Sequence, residues 1–447
     1  MLPRERGPAT RSFVEHKEQR TFLVFLSDWV LFGFGLSVVN PSTVMPALVR
    51  ALTPSAPLIG LVETIRSGAW LLPQLFIAWA LSGTTITKRH LLVPYIASRL
   101  SLALVAPLLL LAASARPGLA LGGLFVFFTL FFVFDAFGSL PWFDLFTVSL
   151  SPVNRSRLIG TAQALAGVGG IGVGYLVARV LAGPSPGFPA SYAILFAASG
   201  AFMVMEIAAV SFLRVPPDVH ERRRIPLRSF VPWVGSLLAR DRDYRRLIIV
   251  RLLVGACGLA IPFYMVFGLD VLRLGPESVG VFTAAQVIGS IASAPLMAVL
   301  SEKRGTTSVI RLVAFLALLL PVLGFTLLLL RTSLGQTALL VISAVIFFLM
   351  GGVNNGQMAG FTNYLLDYAP GAQRPVYIGL ANTLNGLVLV APVVGGWVLS
   401  ATSYPVLFAV TAAVSLAGLA STTRLKRPRD GAAPAPPMPP PSESTGG

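Results

Sequence analysis

Apolar runs of about 20 residues or more alternate with short polar or basic segments along most of the chain. At ~1.5 Å per residue, a helix of that length crosses a hydrocarbon core of ~30 Å. The pattern therefore predicts twelve transmembrane helices, here called spans 1 to 12. In the first half, spans 1 to 6 cover residues 21–41, 58–82, 91–113, 119–149, 157–182 and 190–213. In the second half, spans 7 to 12 cover residues 246–270, 278–300, 309–330, 336–366, 375–400 and 404–422.

The composition excludes an ordinary soluble protein. Hydrophobic residues make up 55% of the 447 residues and charged residues only 12%, whereas about a quarter of a soluble chain is charged. Spans 4 and 10 are longer than one crossing requires, so we expect both helices to continue beyond the bilayer. A single cysteine, Cys257, excludes a disulfide framework. No metal site and no cofactor are predicted.

The net charge of +16 could indicate a nucleic-acid partner, so the placement of Lys and Arg decides its meaning. Counted over alternate polar segments, 26 of these residues fall on one side and 4 on the other. This asymmetry follows the positive-inside rule and predicts that both termini and the central loop are cytoplasmic. Arginine outnumbers lysine 30 to 4, which is typical of a GC-rich bacterial source. We therefore expect a multi-pass protein of a bacterial plasma membrane. It should contact the lipid bilayer and should not bind nucleic acid.

One short motif occurs twice in the chain. Residues 157–167 read RLIGTAQALAG, and residues 376–386, which lie 219 positions later, read VYIGLANTLNG. The same offset places span 4 on span 10 and span 5 on span 11. The aligned pairs include Asp135 with Asn354, Gln163 with Asn382, Asp144 with Asn363, and Arg155 with Arg374. The sequence thus predicts an all-α membrane protein of two pseudo-symmetric six-helix bundles with the same orientation.

This architecture resembles the major facilitator superfamily of transporters over all twelve spans. Between spans 8 and 9, Glu302, Lys303 and Gly305 match the acidic, basic and glycine positions of a loop motif of that family. The loop between spans 2 and 3 keeps Lys88 and Arg89 but lacks the acidic residue. The resemblance implies a carrier in which two bundles rock about a central cavity and expose it to either side in turn.

The predicted boundaries divide the chain into five parts. These are a cytoplasmic tail (1–20), the first bundle (21–213), a basic cytoplasmic linker (214–245), the second bundle (246–422) and a Pro-rich tail (423–447). The linker either lies on the inner leaflet as an amphipathic helix or is solvated. The last tail has the composition of a disordered segment.

Charged side chains inside the spans are costly to bury and therefore mark either function or helix packing. Asp135 and Arg66 lie at similar depth, and we predict that they pair, with Glu63 one turn away. Such a pair is either a static fastener or a substrate or proton site. Asp28 either binds a coupling proton or makes a contact near the inner headgroups. Three further charges near the ends of spans, Glu206, Arg179 and Arg251, are expected to reach the headgroups.

Amide side chains can bind a neutral or zwitterionic solute without burying net charge, or they can fasten helices together. The intramembrane amide candidates are Gln163, Gln286, Asn354, Asn355, Asn382 and Asn385. Charged and polar residues at the cytoplasmic ends of the spans form either a gate or loop anchors. These gate candidates are Asp144, Arg155, Arg157, Glu302, Lys303, Asn363 and Arg374.

No catalytic motif occurs in the chain, so we do not expect an enzyme. The expected function is that of a monomeric secondary transporter for a small organic solute. Protons acting through Asp28, Asp135 or Glu63 are the expected energy source. The alternatives with the same fold are a facilitative uniporter and a multidrug-type exporter. The alternative from another class is a channel or a transporter-derived receptor.

Overall fold

The computed structural model describes residues 8–81, 87–183, 185–213, 238–239, 241–369 and 374–428. The helices of the first half are Pro8–Val38, Val44–Leu52, Ala56–Leu81, Lys88–Ala103, Val105–Ala112, Pro117–Ser149, Pro152–Ala182 and Ala190–Ser211. Those of the second half are Arg242–Gly255, Ile261–Asp270, Ser278–Arg304, Thr306–Leu330, Gln336–Tyr368, Arg374–Asn385, Ala391–Ala401 and Tyr404–Thr422. Eleven of the described segments are long and apolar enough to cross a membrane. With Ala56–Leu81 as span 2, they form the twelve predicted spans.

The internal repeat is visible in the helix boundaries. Span 4 is the 33-residue helix Pro117–Ser149, and adding 219 to both numbers gives span 10, Gln336–Tyr368, also 33 residues long. The same offset carries the end of span 5 at Ala182 onto the end of span 11 at Ala401. The prediction of two bundles built on one plan is confirmed. The predicted linker helix falls mainly on residues 214–237, which lie outside the described residues.

Spans 7 and 11 are interrupted near their middles. A 3-10 turn at Ala256–Leu259 breaks span 7, and another at Gly386–Val390 breaks span 11. Each turn is followed by a proline, Pro262 or Pro392, which lacks the N–H group that a continuous helix would use. Short 3-10 stretches within helices often mark hinges. Both breaks lie beside the central cavity described below.

Gly305 forms the sharp turn between spans 8 and 9. Span 8 ends at Arg304 and span 9 begins at Thr306, and Gly305 alone connects them with a φ of 83°. That backbone conformation is open to glycine and strained for most other residues. The loop motif recognised in the sequence therefore has a structural requirement for its glycine.

The two bundles meet tightly at the end of the molecule remote from the start of span 1 and the end of span 12, here called the closed end. Arg50 donates to Asp270 at 2.6 Å, and the Thr43 and Thr283 hydroxyls lie 2.6 Å apart. Backbones also meet directly: a Cβ on Gly60 of span 2 would lie 2.2 Å from the Pro392 carbonyl oxygen of span 11. Glycine at this position allows the close approach of the two bundles. The opposite end, which carries the start of span 1 and the end of span 12, is called the terminal end.

At the terminal end, Asp241 fastens three spans of the second bundle together. Its carboxylate accepts from the Tyr244 backbone N–H at 2.9 Å, which caps the start of span 7. The hydroxyls of Tyr368 and Tyr377 donate to the same carboxylate at 2.6 and 3.2 Å. Span 7 accordingly begins at Arg242, within the segment predicted to be linker.

Candidate functional site

A polar cavity of about 110 Å³ lies between the two bundles, below the closed end. Span 2 contributes its residues from the first bundle, and spans 7, 10 and 11 contribute those from the second. The polar residues that line it include Glu63, Arg66, Ser67, Asn354, Gln357 and Asn385. Residues of the 3-10 turns in spans 7 and 11 line the cavity, so both helix breaks lie directly beside the candidate site.

Glu63 and Arg66 form an ion pair on one face of span 2. Arg66 donates from Nε to Glu63 Oε1 at 2.8 Å, and its Nη2 contacts the same oxygen. Residues three apart on a helix lie side by side, which explains the pairing. The predicted pair of Asp135 with Arg66 is therefore wrong, because Arg66 is neutralised by its own helical neighbour.

The two members of this pair differ in exposure. The Arg66 side chain is 39% exposed, whereas Glu63 as a residue is 8% exposed. The second oxygen of Glu63, Oε2, is buried and has no hydrogen-bond partner among the described residues. A buried acceptor without a donor is costly in free energy and is a feature of sites that await a ligand.

A second polar site, the Arg99 cluster, lies inside the first bundle and consists of Asp28, Arg99, Asp135 and Glu206. Arg99 in span 3 donates to Asp135 in span 4 at 2.5 Å and to Glu206 in span 6 at 2.5 and 3.1 Å. Its guanidinium carbon lies 4.1 Å from the centroid of the Tyr95 ring. Arg99 is 2% exposed and Glu206 is fully buried.

Asp28 in span 1 completes the Arg99 cluster. The Trp142 indole N–H donates to Asp28 Oδ2 at 2.6 Å, while Oδ1 is buried and accepts no hydrogen bond from the described residues. Asp28 lies one turn before Phe32 on span 1, and the Phe32 ring centroid is 4.8 Å from the Arg99 guanidinium carbon. The cluster thus holds three carboxyl groups and a single guanidinium.

Two side chains that were expected to reach the headgroups have partners on neighbouring helices instead; Glu206 is buried and Arg251 is half-buried. Glu206 is held by Arg99, and Arg251 donates to Asn382 in span 11 at 2.9 Å. The expectation for Glu206 was wrong because its position near a helix end was read as shallow, whereas Arg99 on a neighbouring helix retains its charge in the interior. Arg179, the third such residue, is exposed near the end of span 5.

The amide candidates separate into two groups. Asn354 and Asn385 line the cavity, whereas Gln286 accepts from Asn40 at the closed end at 3.0 Å and Asn355 donates to Ser293 at 3.2 Å. Asn382 accepts from Arg251, and Gln163 is half-buried in span 5. Asn354 and Asp135 occupy equivalent repeat positions, but Asn354 lines the cavity and Asp135 belongs to the Arg99 cluster.

The gate candidates lie at the terminal end. Arg157, Glu302, Lys303 and Asn363 are exposed, and Arg155 is half-buried. The side chains of Asp144 and Arg374 lie outside the part of the chain whose side chains are described. The two bundles thus contact each other at the closed end, whereas the gate candidates whose side chains are described are exposed or half-buried at the terminal end.

Three residues of these sites were not assigned a functional role from the sequence, although Glu206 was expected to reach the headgroups. Arg99 and Glu206 carry opposite charges inside spans, and that combination was the available signal that the two side chains pair. Gln357 belongs to the NNGQ stretch whose asparagines were chosen. Its side-chain amide approaches the Cys257 sulfur at 3.7 Å, beside the cavity.

Comparisons with known proteins agree with the architecture. The sequence model of the Major Facilitator Superfamily matches residues 28–389 and 272–444. No curated protein matches the chain in sequence.

Solved structures show the same fold. The nucleoside transporter NupG shares 12% identity at a TM-score of 0.67, over 92% of this chain and 100% of that chain. A bacterial homologue of the human lysosomal transporter Spinster shares 14% identity at a TM-score of 0.60, over 94% of this chain and 95% of that chain. A bacterial metal transporter shares 14% identity at a TM-score of 0.57, over 91% of this chain and 98% of that chain. The chain therefore belongs to the major facilitator superfamily and has the fold of its transporters.

Proposed function

We propose that this chain moves a small organic solute across a bacterial plasma membrane by alternating access, and that protons drive the movement. Two of the structural neighbours are described as a nucleoside transporter and a metal transporter. Because those cargoes differ chemically, likeness of fold does not select a solute for this chain. The proposal depends instead on the two polar sites.

The observation that carries the proton-coupled part is the charge balance of the Arg99 cluster. Three carboxyl groups surround one guanidinium in a buried site, and an uncompensated buried ion costs several kcal/mol. A proton on Asp28, whose Oδ1 has no hydrogen-bond partner among the described residues, reduces the excess negative charge of the cluster. Release of that proton restores repulsion among its carboxylates. The proton content of the cluster therefore biases the packing of spans 1, 3, 4 and 6, which it joins.

Trp70 offers a physical connection between the cluster and the cavity. Its indole N–H donates to Asp135 at 3.1 Å, and it lies four residues, about one turn, after Arg66 on span 2. A shift of Asp135 would displace the same helix that presents Glu63 and Arg66 to the cavity. Proton binding and solute binding would then favour the same rearrangement of the two bundles.

The test uses the full chain in sealed proteoliposomes with a pH-sensitive dye inside. A panel of amino acids, sugars, nucleosides and organic cations is added outside, and the dye signal is compared with solute uptake. At least one solute should move together with protons. Asp28→Asn should abolish the proton signal and leave solute exchange down its own gradient, while the exposed control Asp367→Asn should behave as the unaltered chain. Solute uptake without any proton movement would replace this proposal with a uniporter.

A further inference from the structure

The unmatched oxygen of Glu63 determines one property of any solute in the central cavity. Glu63 Oε1 is already bonded to Arg66, and Oε2 is buried without a partner in the described part of the chain. The residue lines the cavity and is 8% exposed, so bulk water solvates it poorly. A ligand that donates hydrogen bonds, and best a cationic one, would satisfy this oxygen.

Arg66 determines a second property. Its hydrogen bonds to Glu63 use Nε and Nη2, and they leave further guanidinium N–H groups for a ligand. The side chain is 39% exposed and lines the same cavity. A carboxylate is the natural partner for a guanidinium because two parallel N–H groups fit its two oxygens.

The total charge of the site excludes simple ions. Glu63 and Arg66 neutralise each other, so a lone cation or a lone anion would leave net charge in a poorly solvated cavity. A fully neutral solute would leave Oε2 without a cationic partner. A zwitterion satisfies both side chains and adds no net charge, and Asn354 and Asn385 can bond its remaining polar atoms.

The size of the cavity limits the solute further. A volume of about 110 Å³ is well below the roughly 300–1,000 Å³ of pockets for drug-sized ligands. Apolar walls formed by Ile261, Val388 and Leu389 complete the lining. These walls fit a short aliphatic side chain.

We infer that the cavity binds a small zwitterionic solute of the α-amino acid type, with its ammonium group on Glu63 Oε2 and its carboxylate on Arg66. Glycine, alanine and valine are representative members of this class. The inference rests on the proposed function only in taking the cavity as the solute site. It also disfavours the multidrug-type alternative.

The test measures binding to the purified full chain in detergent, by calorimetry and by thermal stabilisation. The probes are glycine, L-alanine and L-valine, with two analogues of alanine and one uncharged solute. N-acetyl-L-alanine lacks the ammonium group, L-alanine methyl ester lacks the carboxylate, and uridine carries no charge. At least one amino acid should bind, and both alanine analogues should bind at least about 10-fold more weakly than alanine itself, a difference of about 1.4 kcal/mol.

Two variants assign each ligand group to its residue. Glu63→Gln should weaken alanine binding and reduce the penalty for the N-acetyl analogue. Arg66→Gln should reduce the penalty for the methyl ester. If either residue had a merely structural role, its replacement would weaken the binding of all probes alike. The informative readout is therefore the change in preference between alanine and its analogues. Glu277→Gln and Arg331→Gln, both exposed, serve as matched controls.

The analogue series on the unaltered chain decides the question even if a variant does not fold. Failure of all three amino acids to bind, or equal binding of alanine and its analogues, would overturn the inference. Binding of uridine alone would also overturn it and leave the carrier function intact. Alanine binding without alanine uptake in proteoliposomes would keep the site and count against the proposed function.

Discussion

Arg99 shows how one buried side chain organises the first bundle. Its guanidinium donates to carboxylates of spans 4 and 6 and packs against Tyr95. The sequence shows that Arg99 lies inside span 3, but depth along a helix does not tell which neighbouring helix faces a residue. For this reason the sequence suggested Arg66 as the partner of Asp135. Rotation of the helices, which only packing determines, brings Arg99 there instead.

Truncation of Arg99 should be strongly destabilising. Arg99→Gln leaves two carboxylates without a cation, and breaking a buried pair costs about 3–5 kcal/mol. The double variant R99Q/E206Q should be more stable than R99Q alone, because two amides can bond without a lone ion. Thermal unfolding in detergent measures the stability of both variants, with the exposed Arg311→Gln as control. Simple addition of the two losses would show that Arg99 and Glu206 are not a pair.

At the scale of the helices, hydrophobic length was the informative signal. Spans 4 and 10 were placed within about two residues of their observed ends because a bilayer requires a minimum apolar length. The breaks in spans 7 and 11 were not predicted. Their 3-10 turns consist of apolar residues, so hydropathy continues through them. Gly258, Gly386 and the prolines that follow were local indications, but they do not show which side of the helix the break opens.

The contact between spans 2 and 11 gives a prediction for the closed end. A side chain at Gly60 would meet the Pro392 carbonyl, so Gly60→Val should prevent closure and hold the bundles apart there. Cys257, which is buried and lines the cavity, then becomes accessible from that side. An impermeant thiol reagent should label it several-fold faster than in the unaltered protein.

Two further variants control for side effects in this experiment. At Gly172 an added Cβ has nothing within 4 Å, so Gly172→Val should leave the labelling rate unchanged. Gly60→Ala is the smaller change if the valine variant does not fold. An unchanged rate in a folded Gly60 variant would count against closure by this contact.

For the whole molecule, the positive charge distribution predicts that the closed end faces outward. Cysteines placed at Ser55, Ser185 and Ser333 in a Cys257→Ala background should react with an impermeant reagent in intact cells. A cysteine at Ser442 should react only after the membrane is permeabilised. Labelling of the last position in sealed cells would reverse the orientation derived from the basic residues.

Alternating access requires that the two ends of the molecule move in opposite directions. The closed end is joined by Arg50 with Asp270 and by Thr43 with Thr283, and the hinge-like breaks of spans 7 and 11 lie between that end and the terminal end. Opening of one end should therefore accompany closure of the other.

The most direct measurement is a pair of spin-label distances in reconstituted protein. One label pair, at Thr53 and Arg273, reports the closed end, and the other, at Thr161 and Arg304, reports the terminal end. When the pH is lowered, one distance should lengthen as the other shortens, and Asp28→Asn should remove this response. Distances that stay fixed or change in the same direction, or an Asp28→Asn protein that responds like the unaltered chain, would contradict proton-driven alternating access.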